Sequence, residues 1–493
     1  MTSEKILKTA NNLFHAYDIR IERNELDNES FNRLCDAEAY YIKNVLKTNK
    51  IIVSRDTRLK SGFYMQLAID RFISAGLDVL VSLNPISTCQ FYFSVINRPN
   101  HAGVMITASH NPPWYTGEKI VGLNCEPIAA HVGPAGGLDA IYDFFIKGLF
   151  VDNTTKGTVT VISDVDDYVN FAIKYTGLEG KKLSKIRIIA DFMSGSSGFE
   201  IMSAFQRLGA NITALNLVPD GNFPSGTPNP IVRKNIENTL SLVEKKKGEF
   251  DFLFVFDGDG DRIAIYNSDL EFISPSIIIS YIANSLSMLP SGGIKVGLDS
   301  KSVPLVKSEL ENSGFKTVLI PNGHSLIKDM LKKEIISFAA EETAHYYLRL
   351  INDNVVFPFE STLLIALIFS SCWEQDRFQL DKLISLQKSI YSIPEWSYFF
   401  ENDEKKALAL EQVKSRFIND GYEVFDKLAD GSSLGAFILE KKFCNGWCRV
   451  TGRSSQSEKG LVRMMLYSSS QEILNDAFNT IEKIMKGVWN DRN

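Results

Sequence analysis

Little in this chain could frame it by cross-linking or by a membrane. Six cysteines (Cys35, Cys89, Cys125, Cys372, Cys444, Cys448) are scattered over 493 residues, too dispersed for a disulfide framework, and they read as reduced thiols of a core. Cys444 and Cys448 lack a matching second pair, which argues against a zinc site there. The longest aliphatic run, Leu363 to Phe369, is far short of a membrane span and reads as a buried helix. The first residues, with Glu4, Lys5 and Lys8 among polar neighbours, show no apolar core of a secretory signal, so a cytoplasmic location is the expectation. No stretch is polar and repetitive enough to be forced into disorder. A broad basic face is missing too: with a formal charge of −6, neither nucleic acid nor an anionic membrane is an expected partner. An anionic small substrate would instead need locally placed cations, and Arg20, Lys119, Arg262 and Arg453 are available for that.

What is present is length and a repeated grammar. The chain is too long for one core and implies three or four domains. Strand, helix, strand, helix, strand runs through Ile51–Val53, Gly62–Ser74, Val79–Val81, Cys89–Ile96 and Gly103–Thr107. The pattern returns between Ile186 and Phe256, and again between Ile294 and Ala339. Repeats about a hundred residues apart are similar domains, not solenoid units. The expected fold is α/β: three similar domains with mixed, mainly parallel sheets covered by helices, then a C-terminal α+β lid. The boundaries are read as 1–160, 161–272, 273–375 and 376–493. Leu13 to Arg20 alternates apolar and polar residues and reads as a strand.

Chemistry concentrates at strand ends. Val104 to Lys119 runs from an apolar strand into T-A-S-H-N-P-P, so Ser109 lies where an α/β sheet gathers ligands, with Lys119 as a nearby cation for phosphate. Taken alone, Ser109 also reads as a cap or turn residue. Asp257, Asp259 and Asp261 alternate in D-G-D-G-D-R after a strongly apolar strand, and three carboxylates so close favour one hard cation such as Mg²⁺. A helix-loop-helix calcium site is excluded, because Arg262 and Ser268 stand where that loop needs glycine and glutamate. Equivalent strand ends of three domains could meet in one shared cleft.

The string T-A-S-H-N-P-P-x-Y-x-G-x-K resembles the phosphoserine loop of the α-D-phosphohexomutases, most closely the phosphomannomutase/phosphoglucomutase branch. D-G-D-G-D-R resembles that family's metal loop without a substitution. Tyr17 and Arg20 in F-H-A-Y-D-I-R resemble its first motif, with Ile21 in place of glycine. Glu341, Thr343 and His345 in A-E-E-T-A-H resemble its sugar loop Gly-Glu-x-Ser-Gly-His, with Ala340 and Ala344 where the family has glycine. His324 in N-G-H resembles its Gly-His loop, and alone also reads as a helix cap. Arg453, Ser455, Gln456 and Ser457 resemble the lid's phosphate loop.

The resemblance implies a magnesium-dependent intramolecular phosphotransferase, an isomerase of carbohydrate metabolism. It would move phosphate between O1 and O6 of a hexose phosphate, mannose or glucose, through phosphorylated Ser109 and a hexose 1,6-bisphosphate. Ser109 with Asp257, Asp259 and Asp261 would hold Mg²⁺. Arg20 and Arg262 would stabilise charge, Lys119 and His324 are candidates for proton transfer, and Arg453, Ser455, Gln456 and Ser457 would hold the non-reacting phosphate. Tyr17, Glu341, Thr343 and His345 complete the substrate set, and a monomer or dimer is expected. Phosphoglucosamine mutase, or a sugar-phosphate binder without turnover, are the other readings.

Overall fold

The computed structural model describes residues 2–290, 292–352, 355–454 and 460–490. Its first sheet contains β1 (Ile19–Glu22), β2 (Lys50–Arg55), β3 (Asp78–Val81), β4 (Ala102–Ile106), β5 (Tyr115–Val121) and β6 (Val159–Val161), in the order β1-β5-β4-β2-β3-β6. The second is built from β7 (Arg187–Asp191), β8 (Asn211–Leu215), β9 (Phe252–Phe256), β10 (Ile263–Asn267) and β11 (Phe272–Ile273), ordered β11-β10-β9-β7-β8. The third has β12 (Lys295–Leu298), β13 (Lys316–Leu319), β14 (Phe338–Ala340), β15 (Tyr346–Asn352) and β16 (Val355–Glu360), ordered β13-β12-β14-β15-β16.

One motif underlies all three. The first strand of each unit pairs in parallel with the second on one side and the third on the other, and a fourth returns antiparallel beside the third. The inner strands read as continuous apolar runs because both faces are covered: β4 and β9 are buried at every residue. The repeated grammar therefore appears as expected, and the fold is the α/β arrangement read from it. The antiparallel return strand is the part the pattern did not show. A single apolar core runs from Phe91 and Met105 through Phe205 and Phe254 to Phe359 and Phe369, so the three units pack as one framework. The helix Thr362–Gln375 lies at its centre, buried almost all round and started by Ser361, whose hydroxyl accepts from the Leu364 N–H.

Two expectations are corrected. Leu13 to Arg20 is not one strand: Ser3–Leu13 is a helix capped by Thr2, and the strand is Ile19–Glu22, with Phe14 making an isolated bridge to Ile19. Buried Thr9, Ala10 and Leu13 follow helical spacing, which the alternation beyond Leu13 concealed. The helix Arg377–Lys388, read as part of the fourth domain, packs against the helices Pro275–Ser287 and Thr362–Gln375. Gln387 ties it to β11 by donating to the Phe272 carbonyl at 2.9 Å and accepting from the Ser274 N–H.

The fourth sheet is antiparallel throughout, with β17 (Tyr391–Phe399), β18 (Glu423–Lys427), β19 (Ser433–Phe443), β20 (Gly446–Ser454) and β21 (Leu461–Ser468) ordered β17-β21-β20-β19-β18. Helices Asp403–Asn419 and Gln471–Asn490 cover it. It docks on the turn after β12: Arg449, Thr451 and Tyr467 donate to the carbonyls of Ser302, Ser300 and Lys301. No helix among the described residues is long and apolar enough to cross a membrane.

Candidate active site

Ser109 is held on a loop that a buried ion pair shapes from beneath. Asp56, at the end of β2, accepts from Arg58 Nε at 3.0 Å, from the Thr107 hydroxyl at 2.8 Å and from the Ser61 hydroxyl at 2.6 Å. The Arg58 guanidinium then donates to the carbonyls of Ser109, Asn111 and Pro112 at 2.6–2.7 Å. Buried carbonyls must find donors, and one planar fork supplies several. So constrained, Ser109 takes a left-handed φ of 49°, and it is 1% exposed. Its Oγ lies 3.0 Å from His110 Nδ1 and 3.5 Å from Asp257 Oδ2. Burial, with Arg262, Arg20, His345 and Lys119 nearby, pulls His110 well below the usual imidazole value, so its ring is neutral. Arg20 is braced by Asp18 and donates to Asn111 Oδ1 at 2.9 Å.

The acidic loop joins β9 to β10 and faces Ser109. Asp257, Asp259 and Asp261 are all buried, and each offers a carboxylate oxygen within 4.8 Å of the others. Lys119 donates to Asp259 at 2.7 Å and to Asp261, while Thr88 donates to Asp259 at 2.6 Å. Gly260 is required by its φ of 73° and by the Ser197 and Ser87 side chains that would meet a Cβ. Oδ1 of Asp259 and of Asp261 are buried without a hydrogen bond among the described residues. Burial, reinforced by Asp261 and Asp259, pushes the Asp257 carboxyl well up. Three clustered carboxylates with two orphaned oxygens fit a hard divalent cation.

The sugar loop meets this cradle directly. Arg262 and His345 form a backbone bridge, and Arg262 Nε donates to His345 Nε2 at 2.9 Å. The other ring nitrogen, Nδ1, lies 2.5 Å from Glu360 Oε1, so Nδ1 carries the proton. Lys328 Nζ in turn sits 2.9 Å from Glu360 Oε2 and 3.7 Å from the centre of the Tyr92 ring. Glu341 accepts from the Tyr347 hydroxyl at 2.5 Å and from the Gly323 N–H at 3.3 Å. The segment carrying Thr343 is a turn closed from Ala344 N–H to the Glu341 carbonyl. Ala344 adopts a φ of 69°, so its substitution for glycine is strained, whereas Ala340 lies in β14 and carries no such cost. His324 opens its helix after Gly323. Its Nε2 is buried without a partner among the described residues, and burial together with Lys328 and Lys119 pulls the imidazole well below its usual value. The Tyr17 ring stands 6.4 Å from the His324 ring and would clash with any Cβ on Gly323.

From the fourth sheet, Arg453 enters the same cleft. It forms a bidentate pair with Glu395 of β17 at 2.9–3.1 Å. Burial alone would raise the Glu395 carboxyl, but Lys301, Arg453 and Arg463 hold it below its ordinary value. Burial raises the Tyr17 hydroxyl, Glu341 adds to that and Arg453 opposes it, so groups from the third and fourth sheets both lie near the first domain's Tyr17. Ser455, Gln456 and Ser457 lie outside the described residues. Sequence reasoning missed Arg58, Lys328, Glu360 and Glu395. Arg58 lies in the loop just past the first strand of the repeat, while Glu360 and Glu395 sit on strands that the pattern did not reveal.

A buried serine beside an acidic cation cradle, with Arg20, Arg262 and Lys119 close by on an α/β scaffold, is the set of groups that phosphoryl transfer calls for. Family models described as phosphoglucomutase/phosphomannomutase alpha/beta/alpha domain I and domain II match residues 11–133 and 166–269. A phosphomannomutase of Vibrio cholerae is 28% identical over 96% of this chain and 98% of that protein. One from Escherichia coli is 30% identical over 68% of this chain and 73% of its own length. Among solved structures, a phosphoglucomutase/phosphomannomutase family protein of Burkholderia thailandensis superposes with a TM-score of 0.79, at 21% identity, over 98% of each chain. The chain belongs to the phosphoglucomutase/phosphomannomutase family and is an intramolecular phosphotransferase.

Proposed function

We propose that this chain interconverts hexose 1-phosphate and hexose 6-phosphate, with glucose and mannose as the sugars, through phosphorylated Ser109 and a hexose 1,6-bisphosphate that turns over in the cleft. The observation that carries the reading is the placement of Ser109 Oγ beside Asp257, where loops of the first two sheets face each other. The acidic loop and Ser109 Oγ would hold Mg²⁺, which would supply positive charge to the phosphoryl oxygens.

The remaining work falls to the chain. As the Ser109 O–P bond breaks, the free sugar hydroxyl forms the new one and loses its proton, and Ser109 Oγ recovers a proton. The second half-reaction reverses these roles with the other phosphate. His324, neutral and with no partner for Nε2 among the described residues, is the candidate acceptor for the hydroxyl proton. Lys119, held as an ammonium by two aspartates, is better suited to charge stabilisation. Arg20 and Arg262 would stabilise charge on the transferring phosphoryl group. Arg453, with Ser455, Gln456 and Ser457, would take the non-reacting phosphate by exchanging Glu395 for it. Tyr17, Glu341, Thr343 and His345 would hold the sugar, with Glu341 already oriented by Tyr347.

Competition kinetics with glucose 1-phosphate, mannose 1-phosphate and glucosamine 1-phosphate test this reading. Glucose and mannose should differ by no more than about a hundred-fold in kcat/KM, the scale expected when position 2 lacks a dedicated buried partner. Glucosamine should be poorer, because its ammonium enters a cleft rich in cations. A preference for glucosamine would overturn the sugar assignment, and binding of all three without isomerisation would overturn catalysis.

A further inference from the structure

The first sheet ends in a strand with no partner on its outer side among the described residues. β6 pairs only with β3, in parallel, and all three of its residues are exposed. The Thr158 carbonyl accepts from the Val79 N–H at 2.8 Å, and the Ile162 N–H donates to the Val81 carbonyl at 2.9 Å. Backbone groups alternate in direction along a strand, so those of Val159 and Val161 point outward, to the free edge. Between Gly157 and Ser163 there is neither a charged residue nor a proline, the usual devices that keep an edge from pairing.

Beside this edge runs an apolar groove of about 910 Å³, walled by residues of the first and second domains. Leu83, Val161, Phe199, Leu217 and Val218 line it and are exposed, Phe199 at 69% and Val218 at 76%. Apolar side chains gathered in this way, instead of scattered singly, mark an association surface. Glu200 is the one ionisable residue among those lining the groove. It is buried, and burial raises its carboxyl so that it keeps its proton near neutrality. Groove and edge share Val161 and form one uncharged surface.

Charge and symmetry select the occupant. A surface without ionised groups offers nothing to a nucleic acid or to a charged peptide. Two copies of a chain with a net charge of −6 repel each other, and they approach at least cost through a face that carries none of that charge. Val159-Thr160-Val161 reads the same in both directions, so two copies of β6 can pair antiparallel about a two-fold axis, with Thr160 opposite Thr160 and Val159 opposite Val161. The outward backbone groups then fall in register: Val159 and Val161 make the hydrogen-bonded pairs, and Thr160 the closer, non-hydrogen-bonded one. We propose that this chain forms a two-fold dimer in which β6 of each copy extends the first sheet of the other and the flanking apolar grooves are covered together. The inference is independent of the reaction in the cleft.

Sedimentation velocity of the full chain at micromolar concentration tests this, with wild type, Val161→Lys, Phe199→Asp and a control, Phe378→Asp, whose phenylalanine is 79% exposed on the helix Arg377–Lys388. Wild type and Phe378→Asp should sediment with twice the chain mass. Val161→Lys and Phe199→Asp should sediment as monomers, because each would set a charge against its own copy in an apolar contact. Thr160→Cys should yield a covalent dimer on mild oxidation, which the wild type should not, since Cα atoms of a non-hydrogen-bonded pair lie about 4.5 Å apart, within disulfide reach. Should a charged variant fail to fold, the wild-type mass and the cysteine cross-link still decide. A monomeric wild type would overturn the dimer and leave the edge to a different chain. A dimer that survives both charged variants, or that Thr160→Cys does not cross-link, would overturn the face.

Discussion

At the scale of single residues, charge placement makes the strongest predictions. A charge-assisted hydrogen bond to phosphate contributes roughly 1.5–3 kcal/mol, so Arg453→Ala should weaken apparent affinity by about ten- to a hundred-fold for both phosphosugar isomers. Unchanged KM and kcat/KM for both would remove Arg453 from the phosphate site. Glu200, at the start of the helix Gly198–Arg207, behaves differently. Burial pushes its carboxyl from 4.5 up to about 8, so near neutrality the folded chain holds a proton that the unfolded chain has released. Its contribution to stability is therefore full below the ordinary value and is lost as pH rises through about 8. Glu200→Gln should flatten the decline of Tm between about pH 5 and pH 8.5 and give the more stable protein at the alkaline end. A decline as steep as that of the wild type would show that Glu200 is not its source. Ala344, which stands where the resembled family has glycine, takes a φ of 69°, so this departure, legible in the sequence, falls on a backbone conformation that costs an alanine more than a glycine.

At the scale of elements, the serine loop depends on a pair that the motif does not contain. Arg58 is 3% exposed and Asp56 fully buried, and removing one partner of such a pair costs about 3–5 kcal/mol. Arg58→Met should lower the temperature at which the first domain unfolds. In whatever protein remains folded, it should depress kcat more than KM, because the loop that aims Ser109 loses its donors. An unaltered kcat would show that the loop holds its own shape. Legibility follows a similar division. Elements that bury apolar faces at regular spacing, such as β4, β9 and the helix Thr88–Ile96, were readable because burial dictates their composition. Edge strands β17 and β18 were not, since most of their residues face solvent and no alternation is imposed on them. Glu395 was hidden with β17, and Glu360 with the hairpin of β15 and β16. Side chains that serve other side chains leave little trace in a pattern read along the chain.

At the scale of the whole molecule, the site exists only as an assembly. Ser109 and Lys119 come from the first sheet, the aspartates and Arg262 from the second, Glu341, His345 and His324 from the third, and Arg453 from the fourth. The continuous apolar core fixes the first three relative to one another, while the fourth sheet rests on the turn after β12 through side chains donating to backbone carbonyls. This contrast suits a rigid catalytic floor with a separate phosphate-holding element. Central to the account is a phosphoryl group carried on Ser109. Its most direct test is to incubate the protein with hexose 1,6-bisphosphate labelled in phosphate, locate the label by peptide mass spectrometry, and chase with unlabelled hexose 1-phosphate. The account predicts label on Ser109, its transfer to hexose phosphate at a rate no slower than turnover, and neither label nor turnover in Ser109→Ala. Full turnover with Ser109 unlabelled, or near-normal activity in Ser109→Ala, would contradict it.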